Sequence, residues 1–155
     1  MKKILMVCTA NICRSPIAKV VLQKRVADAG QTSQWQIDSA GTHAQRGGER
    51  ADARGNAALE RRGYKVPKHK SRSIQPKDFE TFDWLLAMDA DNLGFLQRHC
   101  PEQHQHKLRL LLDFAGSIGI DSVPDPYYGN AQGFDRVLDL CEAAASGLLS
   151  ASGPK

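Results

Sequence analysis

The chain has 155 residues and a formal net charge of +4, and its length predicts one domain, residues 1–155, built around a single core. Hydrophobic residues make up 41% of the chain against 13 Gly and 7 Pro, a composition that excludes disordered and collagen-like proteins. Positive and negative charges are mixed along the chain, which argues against nucleic acid as a partner.

No apolar stretch approaches the ~20 residues of a membrane helix, and the first apolar run, residues 4–8, is too short for a signal peptide. We therefore expect a cytoplasmic protein without a membrane span. In that compartment the four cysteines are expected to be free thiols with structural or reactive roles, rather than two disulfides.

The first elements follow directly from the N-terminus. Residues 4–8 form the kind of apolar run that predicts a strand buried on both faces. A helix is predicted over residues 16–29, with Ser15 as its N-cap, a tolerated proline in its first turn and Gly30 just after its end.

The rest of the chain continues the alternation of strands and helices. Only the tail, residues 150–155, is expected to be frayed. The predicted elements are strands at residues 36–39, 84–88 and 108–112, helices at 52–62 and 90–99, and a final helix with an apolar face of Phe134, Val137, Leu138, Cys141 and Ala145.

Strands that alternate with helices predict an α/β fold, here a four-stranded parallel sheet with helices on both faces. Ligands of such sheets bind beyond the carboxyl ends of the strands. We therefore expect the polar segments that follow the strands to meet at one edge and to form the functional site. These segments are residues 9–15, 39–42, 89–92 and 113–128.

The loop after the first strand is the first candidate site, with the sequence Cys-Thr-Ala-Asn-Ile-Cys-Arg-Ser from Cys8 to Ser15. A loop between a strand end and a helix start turns successive backbone N–H groups inward and favours an anion such as a phosphoryl group. The planar guanidinium of Arg14 can hold two phosphate oxygens. The same positive field favours the thiolate form of Cys8, a nucleophile toward which the Ser15 hydroxyl can donate a hydrogen bond.

Two other interpretations of this loop stay open. Spacing alone is better explained by an inert core thiol at Cys8, a surface charge at Arg14 and a simple cap at Ser15, and only the strand–loop–helix context favours the phosphate site. A zinc site using Cys8 and Cys13 would need a second Cys or His pair downstream, which the sequence does not supply.

Attack of a thiol on a phosphate ester requires an acid that protonates the leaving oxygen. Asp125 is the candidate acid, because Pro124 and Pro126 on either side keep it out of helices and central strands and fix it on a loop. An ordinary turn with solvated Tyr127 and Tyr128 explains the same stretch equally well.

Together these segments resemble the low-molecular-weight protein tyrosine phosphatases. The resemblance implies an enzyme that hydrolyses phosphotyrosine proteins and aryl phosphate monoesters through a phosphocysteine intermediate, releases inorganic phosphate and uses no metal or cofactor. It spans effectively the whole chain and rests on residues 8–16 and 125–128, with further matches at 38–42, 52–54, His69, 87–89 and Asn92.

The resemblance also implies a role for each matching residue. Cys8 would be the nucleophile, Arg14 the phosphate clamp, and Asp125 the general acid and then the base for water. The other implied roles are phosphate binding by Thr9, Ala10, Asn11, Ile12, Cys13 and Ser15, a hydrogen-bonded network of Asn11, Ser15 and His69 supported by Ser39 and Asp89, and an entrance wall of Tyr127 and Tyr128. Cys13 would also trap an oxidised Cys8 as a reversible disulfide.

The chain departs from the family pattern at two places. Ala10 stands where many members have Gly, and residues 43–50 lack the aromatic residue that several members place in the substrate wall. The basic His43, Arg46 and Arg50 of that segment suggest an acidic context around the phosphotyrosine, although a solvated loop would have the same composition.

Two other functions compete with this prediction. A thiol-dependent arsenate reductase of the same fold would relay oxidation through two further cysteines close together in sequence, whereas Cys100 and Cys141 are 141 − 100 = 41 positions apart and are predicted to be structural. A non-catalytic phospho-ligand module would need neither Cys8 nor Asp125. No feature of the sequence selects an oligomeric state.

Overall fold

A computed structural model describes residues 1–44 and 46–151 of the chain. Its centre is a parallel sheet in the order β2-β1-β3-β4, which confirms the predicted four-stranded α/β fold. The strands are β1 (Lys2–Cys8), β2 (Trp35–Gly41), β3 (Trp84–Ala87) and β4 (Leu108–Leu110), and the helices are α1 (Arg14–Asp28), α2 (Ala53–Arg61), α3 (Pro76–Thr81), α4 (Ala90–His99) and α5 (Ala131–Ala151).

The central strand β1 is buried on both faces, as its continuous apolar sequence predicts. Ile4 and Met6 belong to the core that lies under α1, α2 and α5. Leu5 and Val7 belong to a second core on the opposite face, under α3 and α4. The last residue of this strand, Cys8, therefore reaches the sheet edge from a strand that is packed on both faces.

The final helix and the end of the first helix confirm their sequence signals. All five residues of the predicted α5 face are buried. Gly30 follows α1 with a φ of 70°, a left-handed conformation that glycine adopts without strain. Residues 152–155, most of the tail predicted to be frayed, lie outside the described residues.

The predicted N-cap at Ser15 is wrong. Helix α1 begins at Arg14, and Cys13 occupies the cap position without a capping side-chain bond. Ser15 is already inside the first turn, with its hydroxyl turned toward the loop before the helix. The Ser-Pro pair resembles a helix start because both residues are tolerated in a first turn.

The predicted last strand is too long. It ends at Leu110, and residues Leu111–Phe114 form a 3-10 helix. Leu111 and Leu112 are adjacent, yet both side chains enter the core beneath α5, which the alternating pattern of a strand does not allow. Short 3-10 helices at Thr32–Gln34 and Glu102–Lys107 and the six-residue α3 were also not predicted.

Helix α5 is the longest helix of the chain as far as the structure describes it, with 21 residues. Across the described residues, no helix combines the length and apolarity required to span a membrane.

Candidate active site

The polar segments that follow the strands meet at one edge of the sheet, as predicted. Cys8 ends β1, Arg14 begins α1, Asp89 follows β3, and Asp125 lies on the long connection between β4 and α5. They surround a cleft of about 410 Å³, lined by Cys8, Thr9, Ala10, Ile12, Cys13, Arg14, His43, Ala44, Glu49, Asp125, Tyr127 and Tyr128.

The loop of residues 9–13, here called the phosphate loop, is fixed by the backbone of its neighbours. The N–H of Thr42 donates to the carbonyl of Cys8 at 2.9 Å, and the N–H of His43 donates to the carbonyl of Thr9 at 2.8 Å. The N–H of Asp52 donates to the carbonyl of Ile12 at 2.8 Å. These bonds occupy the carbonyl groups of Cys8, Thr9 and Ile12 and connect the loop to the residues that follow β2 and precede α2.

Gly41 allows this close approach of loop and strand. A Cβ atom built on Gly41 would lie 2.5 Å from the Thr9 carbonyl oxygen and 3.1 Å from the Asn11 nitrogen. Any side chain here would therefore push the loop away from β2. The sequence-based prediction did not assign a role to Gly41, since nothing in a single sequence distinguishes it from a turn glycine.

Asn11 connects the phosphate loop to three other parts of the chain. It is fully buried and holds a φ of 58°, the only left-handed non-glycine residue among those described. Its side-chain amide donates to Ser15 Oγ at 2.7 Å and to Ser39 Oγ at 3.0 Å, and its Oδ1 accepts from Arg72 N–H at 3.0 Å. The strained conformation is thus stabilised by three hydrogen bonds to three different parts of the chain.

Ser15 Oγ lies 3.0 Å from Cys8 Sγ. Because Ser15 Oγ accepts from the Asn11 amide, its own proton is free to point at the sulfur. A donor at this position can stabilise a thiolate. The predicted contact of Ser15 with Cys8 thus does not depend on the wrong N-cap assignment.

His69 supports the loop from behind. Its Nε2 lies 2.6 Å from the Asn11 carbonyl oxygen, which can only accept, so Nε2 carries the proton. Burial lowers the pKa of His69 below its ordinary value of 6.5, an effect larger than the opposing bond to Asn11. The imidazole is therefore a neutral donor at physiological pH.

The Arg14 guanidinium is buried, with 3% of its side chain exposed, and is held at both ends. One terminal nitrogen donates to Asp89 at 2.6 Å and to the Val123 carbonyl at 3.0 Å. The other donates to Thr9 Oγ1 at 3.3 Å and lies 3.7 Å from the Asp125 carboxylate. Asp89, also the N-cap of α4, keeps the planar group aimed into the cleft.

Asp125 reaches the same cleft from the opposite side. Its side chain is 47% exposed, and one carboxylate oxygen accepts from Tyr127 N–H at 3.0 Å while the other faces Arg14. The bond to Tyr127 is an Asx turn, the local structure expected of an Asp between two prolines. Asp125 therefore presents one oxygen to the cleft and keeps the other in the turn.

The two tyrosines after Asp125 form an open wall. Tyr128 is 93% exposed, and its ring meets Tyr127 edge to face at 4.9 Å between centroids. Arg54 holds this wall, donating to the Tyr127 carbonyl at 2.9 Å and lying 5.7 Å from its ring centroid. The sequence motif contained Arg54 but gave no indication of this role.

Cys13 is a buried thiol that faces the carboxylate of Asp52, with its Sγ 3.9 Å from Oδ2. Burial first, and then the negative charge of Asp52, raises the pKa of Cys13 to about 12. Asp52 in turn is paired with Arg54 at 2.9 Å. Cys13 is therefore a protonated thiol on the cleft wall.

The remaining cysteines do not line the cleft. Cys100 lies in the core on the opposite face of the sheet from Cys8. Cys141 is buried within α5, where desolvation raises its pKa to about 12. Both thus occupy structural positions, and all four cysteines are free thiols.

The segment at residues 43–50, of which residue 45 lies outside the described residues, divides between two surfaces. His43 lines the cleft and packs its ring against Phe95 with centroids 5.2 Å apart. Glu49 also lines the cleft, whereas Arg50 faces a neighbouring pocket. The described residues contain no cluster of three or more His, Cys, Asp or Glu placed to bind a metal ion.

Comparison with known proteins gives a consistent result over the whole chain. Residues 3–153 match a family model described as low molecular weight phosphotyrosine protein phosphatase. A low molecular weight protein-tyrosine-phosphatase of Streptomyces coelicolor is 43% identical over 152 residues, 96% of this chain and 92% of the relative.

Two further matches agree. A human low molecular weight phosphotyrosine protein phosphatase is 38% identical over 143 residues, 90% of this chain and 89% of the relative. The crystal structure of a protein tyrosine phosphatase from Entamoeba histolytica superposes with a TM-score of 0.93 at 41% identity, covering 97% of this chain and 96% of its own.

Proposed function

Since the chain belongs to the low molecular weight phosphotyrosine protein phosphatase family, we propose that it hydrolyses phosphotyrosine in protein substrates, and aryl phosphate monoesters, at the cleft around Cys8. The contact between Cys8 Sγ and Ser15 Oγ, in a cleft that also holds Arg14 and Asp125, is the observation that carries this proposal. Residues 1–155 act as one phosphatase domain.

In the first step the Cys8 thiolate attacks phosphorus in line with the ester oxygen. A P–S bond forms while the P–O bond to the phenol breaks, and Asp125 gives its proton to the departing oxygen. Arg14 and the inward backbone N–H groups of residues 9–13 hold the three equatorial oxygens. The product is a free tyrosine and a phosphocysteine.

In the second step Asp125, now a carboxylate, takes a proton from water as the water attacks phosphorus. The P–S bond breaks and Cys8 leaves as a thiolate, which the Ser15 hydroxyl stabilises across 3.0 Å. Inorganic phosphate then leaves, and Asp125 keeps the proton that it took from water for the next turnover. Every atom is supplied by substrate, water and these side chains.

The aromatic wall favours an aryl ester over an alkyl one. Tyr127 and Tyr128 present ring faces and edges at the mouth of the cleft, where a phosphotyrosine ring can stack. The arsenate reductase alternative is not favoured, because the matching family and relatives are tyrosine phosphatases and Cys100 lies across the sheet from Cys8.

Cys13 would protect the enzyme from oxidation. Peroxide converts Cys8 to a sulfenic acid, and the Cys13 thiol can displace its hydroxyl as water, forming a Cys8–Cys13 disulfide that a thiol reductant reverses. Peptide mapping after peroxide treatment would show this bridge. A bridge from Cys8 to Cys141 instead would contradict the role of Cys13.

Burst kinetics with p-nitrophenyl phosphate test the function directly. A phosphocysteine intermediate predicts rapid release of about one nitrophenolate per active site, followed by slower turnover. Cys100→Ser is the matched control, since it removes a thiol that lies outside the cleft. Steady release from the first turnover, or no hydrolysis, would count against the proposal.

A further inference from the structure

A second pocket lies beside the catalytic cleft and has a different chemical character. Its volume is about 390 Å³, and none of the residues that line it is acidic. We call it the basic pocket, and its lining residues are Gly48, Arg50, Ala51, Asn56, Pro67, Lys68, His69 and Lys70.

The positive charge of the basic pocket is not neutralised by the protein. Arg50, Lys68 and Lys70 are all exposed. Within the part of the chain that the structure describes, none of the three lies within 4 Å of a carboxylate. His69 contributes a wall but no charge, because burial keeps its pKa low. Three unpaired cations thus converge on one concave surface.

The basic pocket is preformed and shares structure with the phosphate loop. His69 in its wall bonds to the Asn11 carbonyl at 2.6 Å. The strip between cleft and pocket is tied to Ser71, whose N–H donates to the Glu49 carbonyl at 2.9 Å and whose hydroxyl accepts from Glu49 N–H at 2.9 Å. The backbone segments that carry the cations are therefore tied to the structure that holds the phosphate loop.

Residues 48–50 separate the catalytic cleft from the basic pocket. Glu49 faces the catalytic cleft, while its neighbours Gly48 and Arg50 face the basic pocket. A substrate chain leaving the cleft meets a negative charge first and three positive charges beyond it. An extended chain covers about 3.3–3.6 Å per residue, so two to four residues span a distance of about 7–14 Å.

We infer that the basic pocket binds a second anionic side chain of the phosphotyrosine polypeptide, carboxylate or phosphorylated, two to four residues from the phosphotyrosine. This inference rests on the proposed function and adds a substrate class to it. The planar fork of Arg50 and the ammonium groups of Lys68 and Lys70 suit both anions, and a phosphate, with the larger charge, binds more tightly.

Peptides that differ at one position test the inference. Phosphotyrosine peptides would have Gln, Glu or a second phosphotyrosine two, three or four residues away on either side, with p-nitrophenyl phosphate as the reference substrate. At the preferred position we expect kcat/KM to rise about 5- to 20-fold for the anionic peptides, the sum of a few exposed ion pairs. The rise should shrink as salt increases from about 0.05 to 0.5 M.

Two triple variants with the same change in net charge show whether the preference depends on where the cations lie or only on the net charge of the protein. Arg50→Gln/Lys68→Gln/Lys70→Gln should abolish the preference and leave p-nitrophenyl phosphate hydrolysis unchanged. The control Lys65→Gln/Lys77→Gln/Arg136→Gln removes three exposed cations that do not line the basic pocket and should keep the preference.

Three results would overturn the inference. These are no preference for anionic peptides at any position, a preference that survives in the variant of the basic pocket, and an equal loss of preference in both triple variants. The salt series on the wild-type protein needs no variant and gives an independent answer. If wild type hydrolyses neither p-nitrophenyl phosphate nor the neutral peptide, the proposed function itself fails, and that outcome is distinct from hydrolysis without preference.

Discussion

The two sides of the catalytic cleft are built in opposite ways. On one side the phosphate loop and the start of α1 are buried, with Asn11 and Ser15 fully enclosed and Arg14 held by both terminal nitrogens. On the other, Asp125 is half exposed and Tyr128 almost wholly so.

The difference matches the two tasks of the reaction. The phosphoryl group has the same shape in every substrate. A rigid, preorganised loop can therefore stabilise the transition state of phosphoryl transfer without reorganising. Leaving groups and their surrounding peptides vary. The exposed side can therefore adjust to them, at the cost of being held by fewer bonds, chiefly those from Arg54.

Removing the proposed nucleophile, Cys8, should have the largest effect and should change only the rigid side of the cleft. Cys8→Ser is expected to reduce kcat by more than about 10⁴-fold, because a serine hydroxyl is a far weaker nucleophile. Phosphate affinity should persist, since the loop backbone and Arg14 remain. Inorganic phosphate titration by calorimetry measures the second point, and a turnover rate near wild type would remove Cys8 from its role.

Removing the proposed acid, Asp125, tests the exposed side of the cleft. Asp125→Asn preserves shape but not the proton, and should slow single-turnover phosphorylation of Cys8 by phosphotyrosine about 10²- to 10⁴-fold. Aryl esters of acidic phenols should be affected much less, because they need little protonation in the transition state. Equal losses for both kinds of substrate would mean that Asp125 only shapes its loop.

Loosening the exposed side without touching a reacting group should have a smaller effect. Arg54→Gln removes the bonds to Tyr127 and Gly129, and we expect kcat/KM for a phosphotyrosine peptide to fall about 3- to 10-fold. Inhibition by phosphate should not change. Arg61→Gln, on the same helix and paired only with Asp135 at 3.5 Å, is the control and should behave as wild type.

The smallest predicted effect is on stability and concerns His69, which bonds to the phosphate loop at Asn11. Since the folded state lowers the pKa of His69, the unfolded chain binds more protons below pH 6.5, and stability falls as pH decreases from there. His69→Gln keeps a donor and loses this dependence, so the Tm difference between the two proteins should change by about 1–3 °C from pH 7.5 to 5.5. A constant difference would mean that His69 titrates normally in the fold.

The sequence predicted residues on both sides of the cleft, with Cys8 and Arg14 on the rigid side and Asp125 on the exposed side. Their local spacing alone favours ordinary structural roles, and it is the resemblance joining these distant segments that selects them, whereas the apolar face of α5 follows from its periodicity alone. Arg54 and Gly41 could not be found in that way, because their roles exist only where β2 or α2 meets a loop from elsewhere in the chain.

The errors in the predicted elements have the same origin. Ser15 has the residue type of a helix cap, but its hydroxyl is used by Cys8 and Asn11 instead. Leu111 and Leu112 continue an apolar run, but the core beneath α5 accepts both side chains and ends the strand. In each case a tertiary contact overrides a local preference.

The bonds from His43 and Asp52 to the phosphate loop, and from Thr42 to the adjacent Cys8, also bear on how the protein opens. Their amide hydrogens point into carbonyls of a loop anchored in the core, so they should exchange with solvent only when that core unfolds. The amide of Tyr127, bonded to its exposed neighbour Asp125, should exchange through local fluctuations that are orders of magnitude faster. We therefore expect the two sides of the cleft to open at different rates.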